Sequence, residues 1–384
     1  MHDEFPRGAT AIVGAATFGI GSAPDYNNYD LAAHASISAL RQAGLTPADV
    51  DGLAVVVMDE TLAPLNFSEY LGIHPRFIDN TRTGGSSFQI HAGNAALALA
   101  AGQCDVVLIA YGSNQRSATG KHIGSSRISP WESPYKPLRP ISGYALAAAR
   151  HMHQFGTTRE QLGEVAIAAR KWAKLNPEAF VREELSMQAY LAARMVSDPL
   201  GVRDCCLVTD GAAAVVIVRA DRARDLCGRP AYILGAAHET THREIACMPD
   251  LTVSGTAGAA RRAFSQARIS VADIDVVELY DAFTINTILF LEDMGFCPKG
   301  EGGRFVEGGA IAPGGRLPVN TNGGGLSCCH PGMYGLFTIV EASQQIMGVC
   351  GQRQVANVEV AVASGNGGEL SSEAVLVLGS EATR

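Results

Sequence analysis

Helix and strand patterns alternate along both ends of this 384-residue chain. In the first part, an amphipathic helix ends near residue 43, a short turn follows, and the hydrophobic run LAVVVM at 53–58 is typical of a buried strand. A glycine- and serine-rich loop, RTGGSSFQ at 82–89, then leads into a helix of small and apolar residues and a strand from about Asp105. Strands that alternate with helices predict sheets covered by helices.

The same order of elements returns in the second part of the chain, and the sequences match. Residues 39–51, ALRQAGLTPADVD, align with residues 263–275, AFSQARISVADID. A strand (VVELY, 276–280), a glycine-rich loop, a helix and a strand near 358–365 follow the second copy. Such a repeat predicts two βαβ-type halves, residues 1–225 and 226–384, with the boundary near 220–232. The identical pairs are Ala39/Ala263, Gln42/Gln266, Ala43/Ala267, Ala48/Ala272, Asp49/Asp273 and Asp51/Asp275.

An insertion at about 113–210 lies within the first half, and helices are predicted in it at 142–155, 158–174 and 184–195. The stretch 116–139 at its start is basic, although the whole chain has a net charge of -8. This local excess favours binding of an anion such as a phosphorylated cofactor, and a solvated loop is an equally good interpretation. The cations are Arg116, Lys121, Arg127, Lys136 and Arg139, against the single acid Glu132.

Composition excludes several classes of protein. The net charge of -8 argues against nonspecific nucleic-acid binding. Neither a signal peptide nor a run of the ~18 apolar residues that a membrane helix needs is found, so we expect no membrane span. The nine cysteines include no CxxC pair, which predicts reduced thiols in the cytoplasm and no metal site in this chain.

Three local motifs resemble the thiolase superfamily, and the resemblance extends over nearly the whole chain. They are ELYDAFTINTILFLEDMGF at 278–296, NTNGGGLSCCHPG at 320–332 and VASGNGG at 362–368. The first two are similar to the sterol-carrier-protein type thiolases. The resemblance implies an α/β fold with a five-layered α/β/α/β/α core, a homodimer and acyl-coenzyme A substrates.

Both cysteines that the family uses for catalysis are replaced in this sequence. Gly85 stands where the nucleophile is expected, at the start of the helix after the first glycine-rich loop, and Cys104 lies too far along that helix. Ser86 or Ser87 is a candidate nucleophile, but helix capping is the better interpretation of these serines. Ser364 stands where the second cysteine is expected.

The thioester-activating part of the family site is retained. His330 matches the histidine that polarises the thioester carbonyl, and Gly324, Gly325 and Gly365 match its supporting oxyanion loops. Tyr280 and Tyr334 depart from the family pattern on the two flanking loops, which favours a role in proton transfer. We suppose that Tyr334 is the base and Tyr280 the acid. Cys328 and Cys329, just before His330, are weaker candidates for chemistry.

An enolate site without a nucleophilic cysteine is suited to retro-aldol cleavage of a β-hydroxyacyl-coenzyme A. The chain resembles the thiolase-like aldolases of steroid side-chain degradation, which implies a ketone and a shorter acyl-coenzyme A, such as propionyl- or acetyl-coenzyme A, as products. It also implies a small partner with a zinc ribbon and an OB-fold. Coenzyme A enters as the substrate thioester, with Arg116, Lys121 and Arg127 as its candidate binding residues. Two alternatives remain: an acyl-transferring thiolase with a displaced nucleophile, and a non-catalytic acyl-coenzyme A-binding subunit.

Overall fold

A mixed sheet forms the frame of the protein. A computed structural model describes residues 5–57, 60–118 and 129–384. In these residues nine strands are joined in the order β3-β2-β4-β7-β1-β8-β11-β10-β9, and β5 and β6 form a separate hairpin. The strands are β1 (Thr10–Gly21), β2 (Gly52–Val57), β3 (Phe77–Asp79), β4 (Val106–Ser113), β5 (Met195–Ser197), β6 (Leu200–Gly201), β7 (Asp210–Arg219), β8 (Ala231–Thr240), β9 (Val276–Glu278), β10 (Val360–Gly367) and β11 (Ser372–Gly379).

Helices cover the sheet on its outer faces and fill the space between its two halves. The helices are α1 (Asn28–Gln42), α2 (Ala63–Leu71), α3 (Ser87–Ala100), α4 (Ile141–Phe155), α5 (Arg159–Leu175), α6 (Met187–Leu191), α7 (Ala220–Leu226), α8 (Thr256–Ala267), α9 (Thr284–Asp293), α10 (Gly302–Val306) and α11 (Gly335–Met347). Helix α1 packs on β1, β4 and β7, and α8 packs on β8 and β11. Helices α3 and α11 contact each other and strands of both halves. Helices α1 and α8 thus cover the sheet, and α3 and α11 lie against strands of both halves, as in the α/β fold expected from the resemblance.

The two halves share one topology and the same stabilising hydrogen bonds. In the first half β1 pairs with β7 and β2 with β4; in the second half β8 pairs with β11 and β9 with β10. Gln42 accepts a hydrogen bond from a backbone amide of β1 at 2.9 Å, and Gln266 accepts one from β8 at 2.8 Å. Asp51 and Asp275 each accept two backbone amides at the start of the neighbouring strand. Of the repeated identities, the Gln42/Gln266 pair thus joins a helix end to the sheet, and the Asp51/Asp275 pair joins the start of one strand to the start of its neighbour.

The insertion lies between the end of β4 and the start of β7. Helices α4 and α5 match the predictions at 142–155 and 158–174 within one residue. The third predicted helix, 184–195, is too long, because Met195 pairs with Gly201 in the β5–β6 hairpin. The predicted division at 225/226 falls at the last residue of α7, just before β8, and it stays a prediction about domain organisation.

Candidate active site

Segments of both halves meet where the two halves of the molecule face each other, and glycines set the distance between their backbones. A Cβ atom added to Gly335 would lie 1.9 Å from the backbone oxygen of Gly85, and one added to Gly365 would lie 2.8 Å from that oxygen. One added to Gly367 would lie 1.7 Å from the backbone oxygen of Thr83. Only glycine allows such close approach of two backbones. These glycines therefore let the loop at 83–85 pack closely against the start of α11 and the end of β10.

Tyr280 and His330 form a hydrogen-bonded pair at this junction. The Tyr280 hydroxyl lies 3.0 Å from His330 Nε2. Burial lowers the pKa of His330 to about 4, so its ring is neutral, although the side chain remains partly exposed. Burial raises the pKa of Tyr280, and the backbone amide of Tyr334 partly offsets that rise because it favours the phenolate. The pair is chemically suited to hold or move one proton.

Tyr334 lies beside this pair, in a different environment. Its hydroxyl donates a hydrogen bond to Asn322 Oδ1 at 2.8 Å, and its ring centroid lies 5.9 Å from that of Tyr280. Burial raises the pKa of Tyr334, and the nearby carboxylate of Asp281 raises the pKa further. The hydroxyl of Tyr334 is therefore held in its protonated form.

Tyr334 is the last residue of the loop that precedes helix α11. Helix α11 begins at Gly335, and residues 329–334 are not helical, since Pro331 precedes a Gly332 with a φ of +90°. His330 and Tyr334 still approach each other, because this loop brings their rings into a stacked arrangement with centroids 6.3 Å apart.

The ring of Tyr280 fills the space that a side chain at position 85 would need. A Cβ atom on Gly85 would lie 1.9 Å from Cε2 of Tyr280 and 2.7 Å from its Cζ. Real carbon atoms in contact are about 3.5–4.0 Å apart. A nucleophilic cysteine at position 85 and a tyrosine at position 280 therefore exclude each other in this arrangement.

The serines near Gly85 hold the loop together. The Ser86 hydroxyl lies 3.0 Å from the Ser372 hydroxyl, and the Ser87 hydroxyl donates to the backbone oxygen of Gly84 at 2.6 Å. The expected capping bond from Ser86 to the start of α3 is not formed. The Ser364 hydroxyl accepts the backbone amide of Tyr280 at 3.3 Å. These bonds give each serine a structural role.

Cys328 and Cys329 are buried, and the environment of Cys329 disfavours a thiolate. Burial raises the pKa of Cys329 well above its usual value, and a hydrogen bond with Cys328 raises it further. Cys328 accepts a hydrogen bond from Asn176 at 3.6 Å. Because the thiolate is the nucleophilic form, the raised pKa disfavours acyl transfer through Cys329.

The amides of Gly324 and Gly325 are already donated within the protein. Gly325 donates to Asp281 Oδ1 at 2.6 Å, and Gly324 donates to Asn322 Oδ1 at 2.7 Å. Burial raises the pKa of Asp281 to about 7. Of the two roles expected for these glycines, the geometry favours support of the loop over binding of the thioester oxygen.

Three further residues hold the site, and no sequence motif singled them out. The Tyr111 hydroxyl accepts the backbone amide of Met333 at 3.1 Å, and Thr209 Oγ1 accepts the amide of His330 at 3.0 Å. Tyr144, from the insertion, donates to the backbone oxygen of Gly368 at 2.9 Å. For Tyr111 and Tyr144 the sequence offers one signal, a tyrosine near the end of an apolar strand or on the buried face of a helix. The buried hydroxyl of such a tyrosine needs a hydrogen-bond partner.

The basic stretch is only partly available for an anion. Lys121 and Arg127 lie outside the described residues. Arg116 is exposed, donates to the backbone oxygen of Val208 at 3.2 Å, and stacks over the ring of Phe180. The side chain of Arg139 is only 5% exposed and forms ion pairs with three carboxylates, which neutralise it: Glu132, Glu244 and Glu369.

Metal-binding clusters and membrane-spanning helices are both absent from the described residues. No cluster of three or more histidine, cysteine, aspartate or glutamate side chains suited to a metal ion occurs within 5–57, 60–118 and 129–384. In the same part of the chain, no helix has the length and apolar character required to cross a bilayer.

Known proteins similar to this chain carry thiolase, lyase and aldolase names. The family description "Thiolase C-terminal domain-like" matches residues 237–380. An acetyl-CoA acetyltransferase of Methanothermobacter thermautotrophicus is 32% identical over 95% of this chain and 98% of its own length. The 17-hydroxy-3-oxo-4-pregnene-20-carboxyl-CoA lyase of Mycobacterium tuberculosis is 34% identical over 94% and 97% of the two chains. A steroid side-chain-cleaving aldolase of Thermomonospora curvata is 31% identical over 97% and 98%.

A solved structure agrees with these relatives. The structure of an "Ltp2-ChsH2(DUF35) aldolase" superposes with a TM-score of 0.90 at 30% identity, over 98% of each chain. The predicted fold and the predicted resemblance are thereby confirmed. This chain belongs to the thiolase superfamily.

Proposed function

We propose that this protein is a thiolase-like carbon–carbon lyase that cleaves a β-hydroxyacyl-coenzyme A by a retro-aldol reaction. The observation that carries the proposal is the ring of Tyr280, which occupies the space beside Gly85 where an acyl-transferring thiolase needs its nucleophile. The lyase and aldolase names of similar proteins support it. The acyl group proposed is a steroid side chain, with a ketone and propionyl- or acetyl-coenzyme A as products.

Tyr280 takes the proton of the β-hydroxyl group. Its hydroxyl proton can pass to His330 Nε2, 3.0 Å away, as it receives the substrate proton, and the backbone amide of Tyr334 offsets part of the rise in the pKa of Tyr280 that burial causes. Tyr334 lacks this advantage, because its hydroxyl donates to an amide oxygen beside Asp281. The roles supposed from the sequence are therefore exchanged in this proposal.

Cleavage then moves electrons towards the thioester. The β-oxygen forms a carbonyl as its proton leaves, the bond between the α- and β-carbons breaks, and its electron pair becomes an enolate. Because Nε2 of His330 is engaged with Tyr280, the ring donates a hydrogen bond to the enolate oxygen from Nδ1. Tyr334 gives its proton to the α-carbon and thereby completes the acyl-coenzyme A product. No covalent acyl-enzyme and no redox change are involved, and the proton taken up by Tyr280 balances the one released by Tyr334.

Phenylalanine variants of the two tyrosines test this assignment. Each keeps the ring and removes the proton, and we expect each to lower kcat on the order of 10²–10⁴-fold. Tyr280→Phe should block ketone release in a rapid-quench single turnover. Tyr334→Phe should still release ketone, with slow uptake of solvent deuterium at the α-carbon.

The outcomes separate the competing interpretations. Ketone release by Tyr280→Phe together with a block in Tyr334→Phe would return the roles to those supposed from the sequence. Full activity of both variants would refute the lyase site. A wild-type protein that turns over no β-hydroxyacyl thioester would favour the non-catalytic, acyl-coenzyme A-binding alternative.

We also propose two protein contacts. Exposed apolar side chains occur on the edge strand β3 and on or next to α2, which suits pairing with a second copy; they are Ile78, Leu62, Leu65 and Tyr70. A second exposed group, in the insertion, suits the small zinc-ribbon and OB-fold partner; it consists of Trp131, Tyr135 and Leu138. The similar Ltp2-ChsH2(DUF35) aldolase is named after two components, which supports a heteromeric complex. Unpaired cysteine thiols support a reducing compartment such as the cytoplasm.

Light scattering of the isolated chain should give about twice 40.3 kDa if a homodimer forms. A Trp131→Ala, Tyr135→Ala double variant should keep that mass and lose the partner in size-exclusion chromatography. A monomeric wild-type chain of full activity would refute the homodimer, and unchanged partner binding by the variant would refute the second surface.

A further inference from the structure

We propose that Tyr111, a residue of β4 in the first half, is a positioning residue that sets the separation of His330 and Tyr334 in the second half. The inference rests on the proposed function, because it assigns a purpose to the arrangement of those two side chains. It starts from hydrogen bonds that the fold does not require: β4 would pair with its neighbours equally well with phenylalanine at this position.

The Tyr111 hydroxyl is bonded twice to the same short loop. It donates to the backbone oxygen of Pro331 and accepts the backbone amide of Met333 at 3.1 Å. Pro331 directly follows His330, and Met333 directly precedes Tyr334. One oxygen atom therefore holds the backbone next to both side chains of the proposed reaction.

The ring of Tyr111 has little freedom to move. Its exposed fraction is 0%, and its centroid lies 5.3 Å from that of Phe88 in an edge-on contact. Burial raises the pKa of Tyr111, so the hydroxyl keeps its proton and can donate. The Tyr111 hydroxyl is thus a rigid donor and acceptor on a central strand, and it can hold the loop that begins at Pro331 and Gly332 in one position.

Gly332, the residue between the two hydrogen-bonded positions, shows how closely the loop packs against its neighbours. Gly332 has a φ of +90°, and a Cβ atom there would lie 2.4 Å from Oε1 of Gln115 and 3.3 Å from the Tyr111 hydroxyl. A second anchor, Thr209, accepts the amide of His330. Loss of the Tyr111 hydroxyl would leave Thr209 to hold one end of the loop while the end at Tyr334 shifts.

Tyr111→Phe removes both hydrogen bonds and keeps the ring. We expect kcat to fall about 10- to 100-fold with KM changed less than about threefold, since a displacement near 1 Å costs this much in catalysis. The ¹⁵N resonances of the His330 ring in the free protein should shift, because the contact of its Nε2 with Tyr280 changes. Gly332→Ala displaces the loop by another route and should give the same kinetic and spectroscopic changes.

Tyr232→Phe is the matched control, since Tyr232 is also a fully buried tyrosine on a central strand, β8. It should leave kcat and the His330 resonances as in the wild type. All assays are run below the unfolding transition of every variant.

Lower stability of Tyr111→Phe with unchanged kcat and unchanged His330 resonances would show that its bonds only stabilise the fold, and would overturn the proposal. An equal kcat loss in Tyr232→Phe would overturn it as well. The resonances of the free protein report on Tyr111 even if no β-hydroxyacyl thioester is cleaved, so failure of the proposed function is separately recognisable.

Discussion

Alanine at position 85 should disturb the site through one contact, with the ring of Tyr280. The new Cβ atom would lie 1.9 Å from Cε2 of that ring. To regain an ordinary contact of about 3.5 Å, the ring must move by roughly 1.5 Å. Gly85 does not have a positive φ, so alanine adds no backbone strain and the ring contact is the main cost.

We expect two consequences of this movement. Overpacking of a buried site typically costs about 1–3 kcal/mol of the free energy of unfolding. The hydrogen bond of 3.0 Å between Tyr280 and His330 would be lost or lengthened. A displacement of this size at the reacting group should lower kcat about 100-fold.

A double-mutant cycle isolates the contact. Urea unfolding is measured for the wild type, Gly85→Ala, Tyr280→Ala and the double variant. Gly85→Ala should cost about 1–3 kcal/mol in the wild-type background and less than about 0.5 kcal/mol when Tyr280 is alanine. Equal costs in both backgrounds would refute the reasoning that Tyr280 and a side chain at position 85 exclude each other.

Three further predictions concern the site and its surroundings. Cys328→Ala, Cys329→Ala together should keep cleavage of a β-hydroxyacyl thioester; a kcat loss beyond roughly a thousandfold in a folded variant contradicts the mechanism. Arg116→Ala, Lys121→Ala, Arg127→Ala should weaken binding of coenzyme A more than of dephospho-coenzyme A in calorimetry, and equal binding of both by variant and wild type would leave these residues in a solvated loop. The pKa of Asp281 is raised to about 7 in the folded protein, above an unfolded value of about 3.9. Its contribution to stability is therefore present below about pH 4 and lost as pH rises through 7. Urea unfolding should show a smaller fall in stability between pH 5 and pH 8 for Asp281→Asn than for the wild type, and identical falls would contradict the raised pKa.

The duplicated fold could be predicted from the sequence because its signals are local. Helix ends, turns and strands leave periodic patterns, and the repeated Gln42/Gln266 and Asp51/Asp275 pairs stand within one short matching stretch of sequence in each half. The replacement of both family cysteines was equally visible, since Gly85 and Ser364 stand at recognisable positions in their motifs.

Contacts between the halves were decided by the tertiary structure alone. Tyr280 is 195 positions from Gly85 in sequence, and no local pattern states that its ring lies beside that glycine. Arg139 was counted among cations for a phosphate, and carboxylates from the second half neutralise it. Tyr111 gave no functional signal, because a buried tyrosine on an apolar strand has the same sequence pattern whatever its hydroxyl binds. Side-chain spacing along a chain predicts which face is buried, whereas hydrogen-bond partners across the core depend on how the completed halves pack.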